Sequence, residues 1–239
     1  MTMSFAWHGP MVRGREWLKD KMTRRGPRAY GDTHEVALGL VAGAPPCRVL
    51  DLGAGRGELS ARLAALGHRV TAVELFTPQF NAAVPLVTAD LNRPLPFEDG
   101  SFDVVMGVEI IEHLESPRHF LREIGRVLVA GGVSVVSTPN ITSYLSRLLF
   151  LASGQWDLFW NHPFRLRDPF SAEVEGHISP LPAWLLRHHA ADAGFSVDAV
   201  GYSRAWLPLV PFWLNPLPST AGFGRILIAR LRKRAAPPA

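Results

Sequence analysis

Three side chains near the middle of the chain have the types and spacing for proton or metal chemistry: Glu109, Glu112 and His113, in Glu109-Ile110-Ile111-Glu112-His113-Leu114. On a helix these are positions i, i+3 and i+4, so two carboxylates and an imidazole share one face. Such a face can hold a divalent cation that lowers the pKa of a bound hydroxyl, or can present His113 alone as a general base. A third reading is structural, with the same residues capping the helix. His177, in Glu175-Gly176-His177, and His162 are candidates for a further ligand. A second constellation lies upstream, in Val49-Leu50-Asp51-Leu52-Gly53-Ala54-Gly55-Arg56-Gly57-Glu58. It reads as a buried strand, a glycine turn and a helix start, which lets backbone N–H groups approach a small ligand closely. Glu74 closes the next apolar run, Arg69-Val70-Thr71-Ala72-Val73-Glu74, at the place where α/β folds put an acceptor for ribose hydroxyls. Together these residues point to a ligand carrying a nucleoside.

The elements that must position these groups are legible in the hydrophobic pattern. Thr33 to about Val41 reads as a helix with Asp32 or Thr33 as its N-cap. Strand and helix patterns then alternate to about Val136, which predicts an α/β, doubly wound, mostly parallel sheet with helices on both faces. Asp90, in Val87-Thr88-Ala89-Asp90-Leu91-Asn92, closes a third strand. Beyond Asn140 the pattern changes: Ile141 to Leu151 is a helix candidate, and residues 181–193 read as another with Trp184, Leu185, Leu186 and Ala190 on one side. Phe195 to Val200 is a sixth strand, and Ile226-Leu227-Ile228-Ala229 a seventh, antiparallel at the edge or in the interior of the sheet. Thr138 and Asn140, at the end of the fifth strand, are expected at the mouth of a ligand site, since such sheets bind ligands beyond their strand C-termini.

The glycine spacing distinguishes among nucleoside ligands. A dinucleotide fingerprint runs G-x-G-x-x-G, whereas here the glycines are Gly53, Gly55 and Gly57, with Asp51 in the strand end. This turn resembles the first motif of class I S-adenosylmethionine (SAM)-dependent methyltransferases. The resemblance continues in order through Asp90, Asp99-Gly100-Ser101-Phe102-Asp103-Val104-Val105, Glu109 to Leu114, and Leu128 to Asn140, roughly residues 45 to 140. Glu109–His113 and Ser137–Asn140 resemble the ubiquinone-biosynthesis O-methyltransferase type. The resemblance implies a Rossmann-like seven-stranded sheet and cofactor contacts by Asp51, Gly53, Ala54, Gly55, Glu74, Leu75, Asp90, Leu91, Gly107 and Val108. It implies that the turn holds the methionine end of the cofactor, whose carboxylate uses helix-terminal N–H groups as a phosphate would. Arg56 is a further candidate for that carboxylate. The Glu-x-x-Glu-His pattern also resembles the metal site of small-RNA 2′-O-methyltransferases, which makes Glu109, Glu112, His113 and His177 a candidate ligand set.

Length and composition fit one α/β core with extensions: 239 residues, 47% hydrophobic and 19% charged. Residues 1–30 form a basic extension and 31–239 one domain, with lid or pocket insertions at about 141–180 and 203–222. The first insertion is crowded with Trp156, Phe159, Trp160, Phe164 and Phe170; the second is the proline-broken apolar stretch 206–218. The single Cys47 excludes an intrachain disulfide and reads as a small packing residue before the first strand. Of the formal charge of +4, residues 1–30 carry net +5 and residues 218–239 another +5, leaving the middle acidic. That distribution argues against a nucleic-acid footprint across the domain, and offers basic ends that touch an anionic membrane surface or are merely solvated. A short basic helix is expected over 11–25. No apolar run reaches the roughly 20 residues needed to span a bilayer, and the N-terminus lacks a signal-peptide core, so a cytoplasmic chain is expected. The leading expectation is SAM-dependent O-methylation of a small or amphipathic molecule. Metal-assisted methylation of a catechol-like group or RNA end, and a non-catalytic SAM-binding, membrane-associated accessory role, are the alternatives.

Overall fold

A computed structural model of the chain describes residues 32–159, 176–204 and 217–235. The basic helix expected over 11–25, His162, Trp160, Phe164 and Phe170, and nearly all of the stretch 206–218 lie outside these residues.

The strands are β1 (Arg48–Leu52), β2 (Arg69–Glu74), β3 (Leu86–Thr88), β4 (Phe102–Gly107), β5 (Leu128–Pro139), β6 (Phe195–Tyr202) and β7 (Ile226–Lys233). The helices are α1 (Thr33–Gly39), α2 (Glu58–Ala65), α3 (Pro117–Val127), α4 (Tyr144–Ser153) and α5 (Ala183–Asp192). The sheet has the order β3-β2-β1-β4-β5-β7-β6. β7 inserts antiparallel between β5 and β6, and the pairings among β1 to β5 are all parallel. Its direction therefore matches the sequence reading, and its place is interior. The order reverses between β1 and β4, and the crevice beyond the carboxyl ends of those two strands is where a doubly wound sheet binds its ligand.

Strand alternation divides the core into two layers. Leu50, Leu52 and Val105 pack with Phe120, Leu121 and Ile124 of α3 on one face. Val49, Val104 and Met106 pack with Leu59 and Leu63 of α2 and Ala37 of α1 on the other. Helix starts follow local chemistry: Ser116 accepts from the His119 N–H at the head of α3, with Pro117 at its first position, and Ser143 accepts from the Ser146 N–H at α4.

Three expectations change. Trp184 does not join the buried side of α5; it is exposed, and Leu186 and Ala190 are the residues that pack. The basic C-terminal end is not a solvated arm, because Arg225 to Lys233 lead into and form an interior strand. Arg225 pairs with Asp157 at 2.5 Å, Arg232 with Asp198 at 2.6 Å, and Lys233 Nζ donates to the Leu128 carbonyl. Thr138 and Asn140 do not line a mouth: Thr138 is fully buried, and Asn140 Nδ2 donates to the Ala221 and Gly224 carbonyls, fastening the loop that precedes β7. Cys47 is half-buried with its Sγ 3.4 Å from His68 Nδ1.

Candidate active site

The glycine turn leaves β1 and is stitched to the end of β2: Gly53 N and Ala54 N both donate to the Val73 carbonyl, at 2.9 and 3.0 Å. Gly53 and Gly55 have φ of +71° and +55°, a region that an L side chain enters only at a cost. Their surroundings differ. A Cβ on Gly53 would lie 2.6 Å from Ile110 Cγ1, whereas a Cβ on Gly55 would meet nothing within 4 Å. Gly53 is thus required by packing, and Gly55 faces open space, as a turn that admits a ligand to its backbone must.

Acidic groups surround the turn. Glu74 Oε2 accepts from Gly55 N at 2.7 Å, and its Oε1 accepts from Leu75 N and Phe76 N, so the carboxylate bridges the ends of β1 and β2. Asp51 is buried and accepts from Ser60 Oγ at 2.5 Å. Burial pushes its pKa up to about 6; the Ser60 hydrogen bond opposes the rise and the nearby Glu74 charge adds to it. Asp90 Oδ1 accepts from the backbone and side-chain amides of Asn92, which fixes its loop after β3. Leu75 is exposed beside Glu74, Leu91 is buried behind Asp90, and Val108 is almost buried. A Cβ on Gly107 would press on the Phe120 ring at 3.1 Å, so this position keeps α3 close to the end of β4.

The Glu109–His113 segment is not an α-helix. Glu109 has φ of +53°, and only Ile111–His113 form a single 3-10 turn. Glu109, Glu112 and His113 therefore do not share one helical face. Glu109 N donates to Ser137 Oγ at 2.8 Å, and Thr33 Oγ1 donates to Glu109 Oε1 at 3.3 Å. Glu112, His113 and His177 instead come together, each offering a ligand atom within 4.8 Å of the others. Of the four candidate ligands, Glu109 thus drops out and Glu112, His113 and His177 remain. The segment that brings His177 is pinned to the 3-10 turn: Ile178 N and Ser179 N donate to the Glu112 carbonyl, and Ser179 Oγ donates to the Leu114 carbonyl at 2.6 Å. His113 Nδ1 lies 3.2 Å from the Gly176 carbonyl, which makes Nδ1 the protonated nitrogen and leaves the Nε2 lone pair available. The His113 and His177 rings meet edge to face at 4.7 Å, with Phe159 against the far side of His177.

Burial sets the charge of this cluster. Glu112 is 1% exposed, its Oε2 has no hydrogen-bond partner among the described residues, and its pKa stands well above 4.5 through desolvation reinforced by the Glu109 charge. Desolvation lowers the His113 pKa, against the Gly176 hydrogen bond, and takes His177 down to about 4 with help from His113. Burial thus disfavours charge on both imidazoles and on the Glu112 carboxyl, and leaves a set able to accept a proton or bind a cation. The sequence singled out Glu112, His113 and His177, but not Thr33, Ser137, Gly176 or Ser179. Those partners lie 28 to 76 residues away and leave no local signal.

A sheet with this order, a glycine turn after β1 open at Gly55 and an acid at the end of β2 are the arrangement of the class I SAM-dependent methyltransferase fold. Residues 50–136 of the chain match the family model described as a methyltransferase domain. It is 38% identical over 105 residues to the ubiquinone biosynthesis O-methyltransferase of Caulobacter sp. (strain K31), covering 40% of this chain and 42% of that protein. It is 31% identical over 188 residues to the 2-methyl-6-phytyl-1,4-hydroquinone methyltransferase of Synechocystis sp., covering 72% of this chain and 54% of that one. The chain spans about half the length of these curated relatives. Among solved structures, a SAM-dependent methyltransferase from Thermotoga maritima superposes with a TM-score of 0.63 at 20% identity over 96% of this chain and all of that one, a likeness of fold.

Proposed function

We propose that this chain transfers the methyl group of SAM to a hydroxyl oxygen of a small or amphipathic aromatic molecule of the quinol or catechol kind. The observation that carries the reading is His113: a half-buried, neutral imidazole with Nδ1 engaged by the Gly176 carbonyl and Nε2 available, on the segment after β4 whose Ile110 abuts Gly53 of the glycine turn. The names of the curated relatives, a ubiquinone biosynthesis O-methyltransferase and a 2-methyl-6-phytyl-1,4-hydroquinone methyltransferase, suggest the acceptor class.

The turn fits the cofactor at the open face of Gly55, whose side a Cβ would fill. Gly53 and Ala54, whose N–H groups tie the turn to the Val73 carbonyl, would shape the seat of the methionine end at the open face of Gly55, Glu74 would meet the ribose hydroxyls, Leu75 and Leu91 the adenine faces and Asp90 its edge, with Asp51, Gly107 and Val108 completing the wall. Bound there, SAM supplies an electrophilic methyl on a sulfonium. The protein's own contribution is alignment, exclusion of water and removal of the acceptor's proton. His113 Nε2 takes that proton as the acceptor oxygen forms its bond to carbon, and the Gly176 carbonyl stabilises the imidazolium that results.

A second reading of the same cluster is favoured by the unpartnered Glu112 Oε2 among the described residues and by the 4.8 Å grouping. Glu112, His113 and His177 would hold a divalent cation there, with Glu112 ionised and the acceptor hydroxyl acidified by the metal. An amphipathic acceptor also suits a peripheral membrane contact, which the exposed Tyr144, Leu148 and Leu151 of α4 support. No helix among the described residues is long and apolar enough to cross a membrane.

The test is transfer of label from methyl-labelled SAM to catechol and hydroquinone acceptors, with the product bond identified by mass spectrometry. An O-methyl ether whose formation falls at least a hundredfold in His113→Ala is expected. Full activity after exhaustive chelation and in Glu112→Gln removes the metal reading; full activity in His113→Ala removes the base reading.

A further inference from the structure

Asp51 is an acid set between Leu50 and Leu52 in β1, and only 2% of it is exposed. Alternation puts it on the same side of the sheet as Val49, the side that α2 covers. Its register neighbours there, Ala72 of β2 and Met106 of β4, carry no charge. Ionising a buried carboxylate is unfavourable unless hydrogen bonds or an opposite charge compensate. The hydrogen bonds come from Ser60, in the first turn of α2 and itself fully buried: Ser60 Oγ donates to Asp51 Oδ2 at 2.5 Å, and its backbone N–H adds a second bond.

The charged group that bears on Asp51 is a second acid, Glu74 at the end of β2, rather than Arg56 or Glu58 of the turn and the helix head. Glu58 is exposed and acts on His34 of α1 instead. Burial and Glu74 together hold Asp51 ready to take up a proton near pH 6, against the Ser60 bonds. Glu74 Oε2 is also one hydrogen bond from Gly55 N, at the open residue of the turn. A cation seated at Gly55 therefore acts on Asp51 in the sense opposite to Glu74 and favours its ionised form. The methionine end of SAM carries two such charges, a sulfonium and an ammonium.

We infer that Ser60 is a positioning residue for the cofactor's seat: from the first turn of α2 its hydroxyl fixes the buried Asp51 carboxylate beneath the glycine turn, where that charge strengthens binding of the cationic methionine end. This rests on the reading of the turn as the seat of SAM. Ser60, with no exposed surface, acts through Asp51. Cofactor affinity and the ionisation of Asp51 are then linked, and affinity falls as pH drops through the range where Asp51 takes up its proton. Removing the Ser60 hydroxyl takes a hydrogen bond from the charged form alone, which moves that range upward by about one pH unit.

The experiment compares wild type, Ser60→Ala, Asp51→Asn and the double variant in the full chain. Calorimetric affinity for S-adenosylhomocysteine, which keeps the ammonium, is measured from pH 5.5 to 8.5, with the urea midpoint at each pH to show that the chain is folded. The carboxyl-carbon resonance of Asp51 is titrated by NMR in the ligand-free protein. Wild-type affinity is expected to rise through about pH 6 and level off. The Ser60→Ala curve lies about one pH unit higher, so that binding is about fivefold weaker than wild type at pH 6 and within about twofold at pH 8.5, and the Asp51 resonance moves with it. Asp51→Asn binds more weakly at pH 8.5 with a flat profile, and adding Ser60→Ala leaves that profile flat. A Ser60→Ala curve lowered by one constant factor at every pH marks a merely structural role and overturns the inference, as does a curve identical to wild type. Should Ser60→Ala fail to fold, a flat wild-type profile, or an Asp51→Asn profile that keeps the wild-type midpoint, overturns it as well. Each of these results leaves saturable binding, and with it the SAM reading, intact; a folded wild-type chain that binds no S-adenosylhomocysteine at any pH overturns both.

Discussion

Gly53 and Gly55 are two residues apart in one turn, share the same backbone region and answer to different forces, so substituting each with alanine separates packing from binding. Gly53→Ala brings a Cβ to 2.6 Å from Ile110 Cγ1 and 2.7 Å from its Cδ1, at φ of +71°. The left-handed backbone costs about 1 kcal/mol and the forced displacement of a core side chain about 1–3 kcal/mol, so a loss of about 2–4 kcal/mol is expected. Against a typical total of roughly 5–15 kcal/mol, that shifts the urea midpoint plainly. Gly55→Ala carries only the backbone cost of about 1 kcal/mol, because its Cβ meets nothing within 4 Å. Its Cβ does occupy the space proposed for the methionine end of the cofactor. A displaced or badly seated carboxylate predicts a ten- to hundredfold weaker Kd for S-adenosylhomocysteine, about 1.4–2.7 kcal/mol. Urea denaturation and calorimetric titration of both variants decide the matter. If Gly53→Ala is no less stable than Gly55→Ala, the packing argument fails. If Gly55→Ala binds S-adenosylhomocysteine as tightly as wild type, the open face is not the cofactor's seat.

Two further outcomes follow from the charges. The folded chain holds Glu112 protonated above its ordinary value of 4.5, so this group favours folding at low pH and that contribution is lost as pH rises from about 4.5 through the folded-state pKa. Glu112→Gln cannot titrate, and its stability relative to wild type should therefore rise between pH 4 and pH 8; a difference independent of pH would show that Glu112 is not held neutral. The half-buried Arg225–Asp157 pair, at 2.5 and 2.6 Å, ties the loop after α4 to the head of β7. Arg225→Met should cost about 3 kcal/mol by leaving Asp157 unpaired, and Arg225→Met/Asp157→Asn should recover much of it, as denaturation of the two variants would reveal.

The parts legible in the sequence were those encoded by neighbours. The apolar run of β1, the glycine turn and Glu74 lie within one strand-turn-helix-strand unit, and their arrangement follows from local periodicity and backbone freedom. The direction of β7 was likewise legible, but the choice between an edge and an interior place was not, because Arg230, Arg232 and Lys233 read as a solvated end until Asp198 and the Leu128 carbonyl come beside them. The Glu109–His113 segment failed differently. Its spacing favoured a helix, and the contact of Glu109 with Ser137 and Thr33 imposed a left-handed turn instead. His177 was visible only as a histidine of suitable type; its meeting with His113 depends on the backbone bonds of Ile178 and Ser179 to Glu112, which no local pattern announces.

The measurement closest to the central claim is calorimetric titration of the full, folded chain with S-adenosylhomocysteine. The account predicts saturable binding at a single site, weakened strongly by Glu74→Ala, whose carboxylate bridges the glycine turn and the end of β2. A folded chain that takes up no S-adenosylhomocysteine, or takes it up equally well without the Glu74 carboxylate, would contradict it.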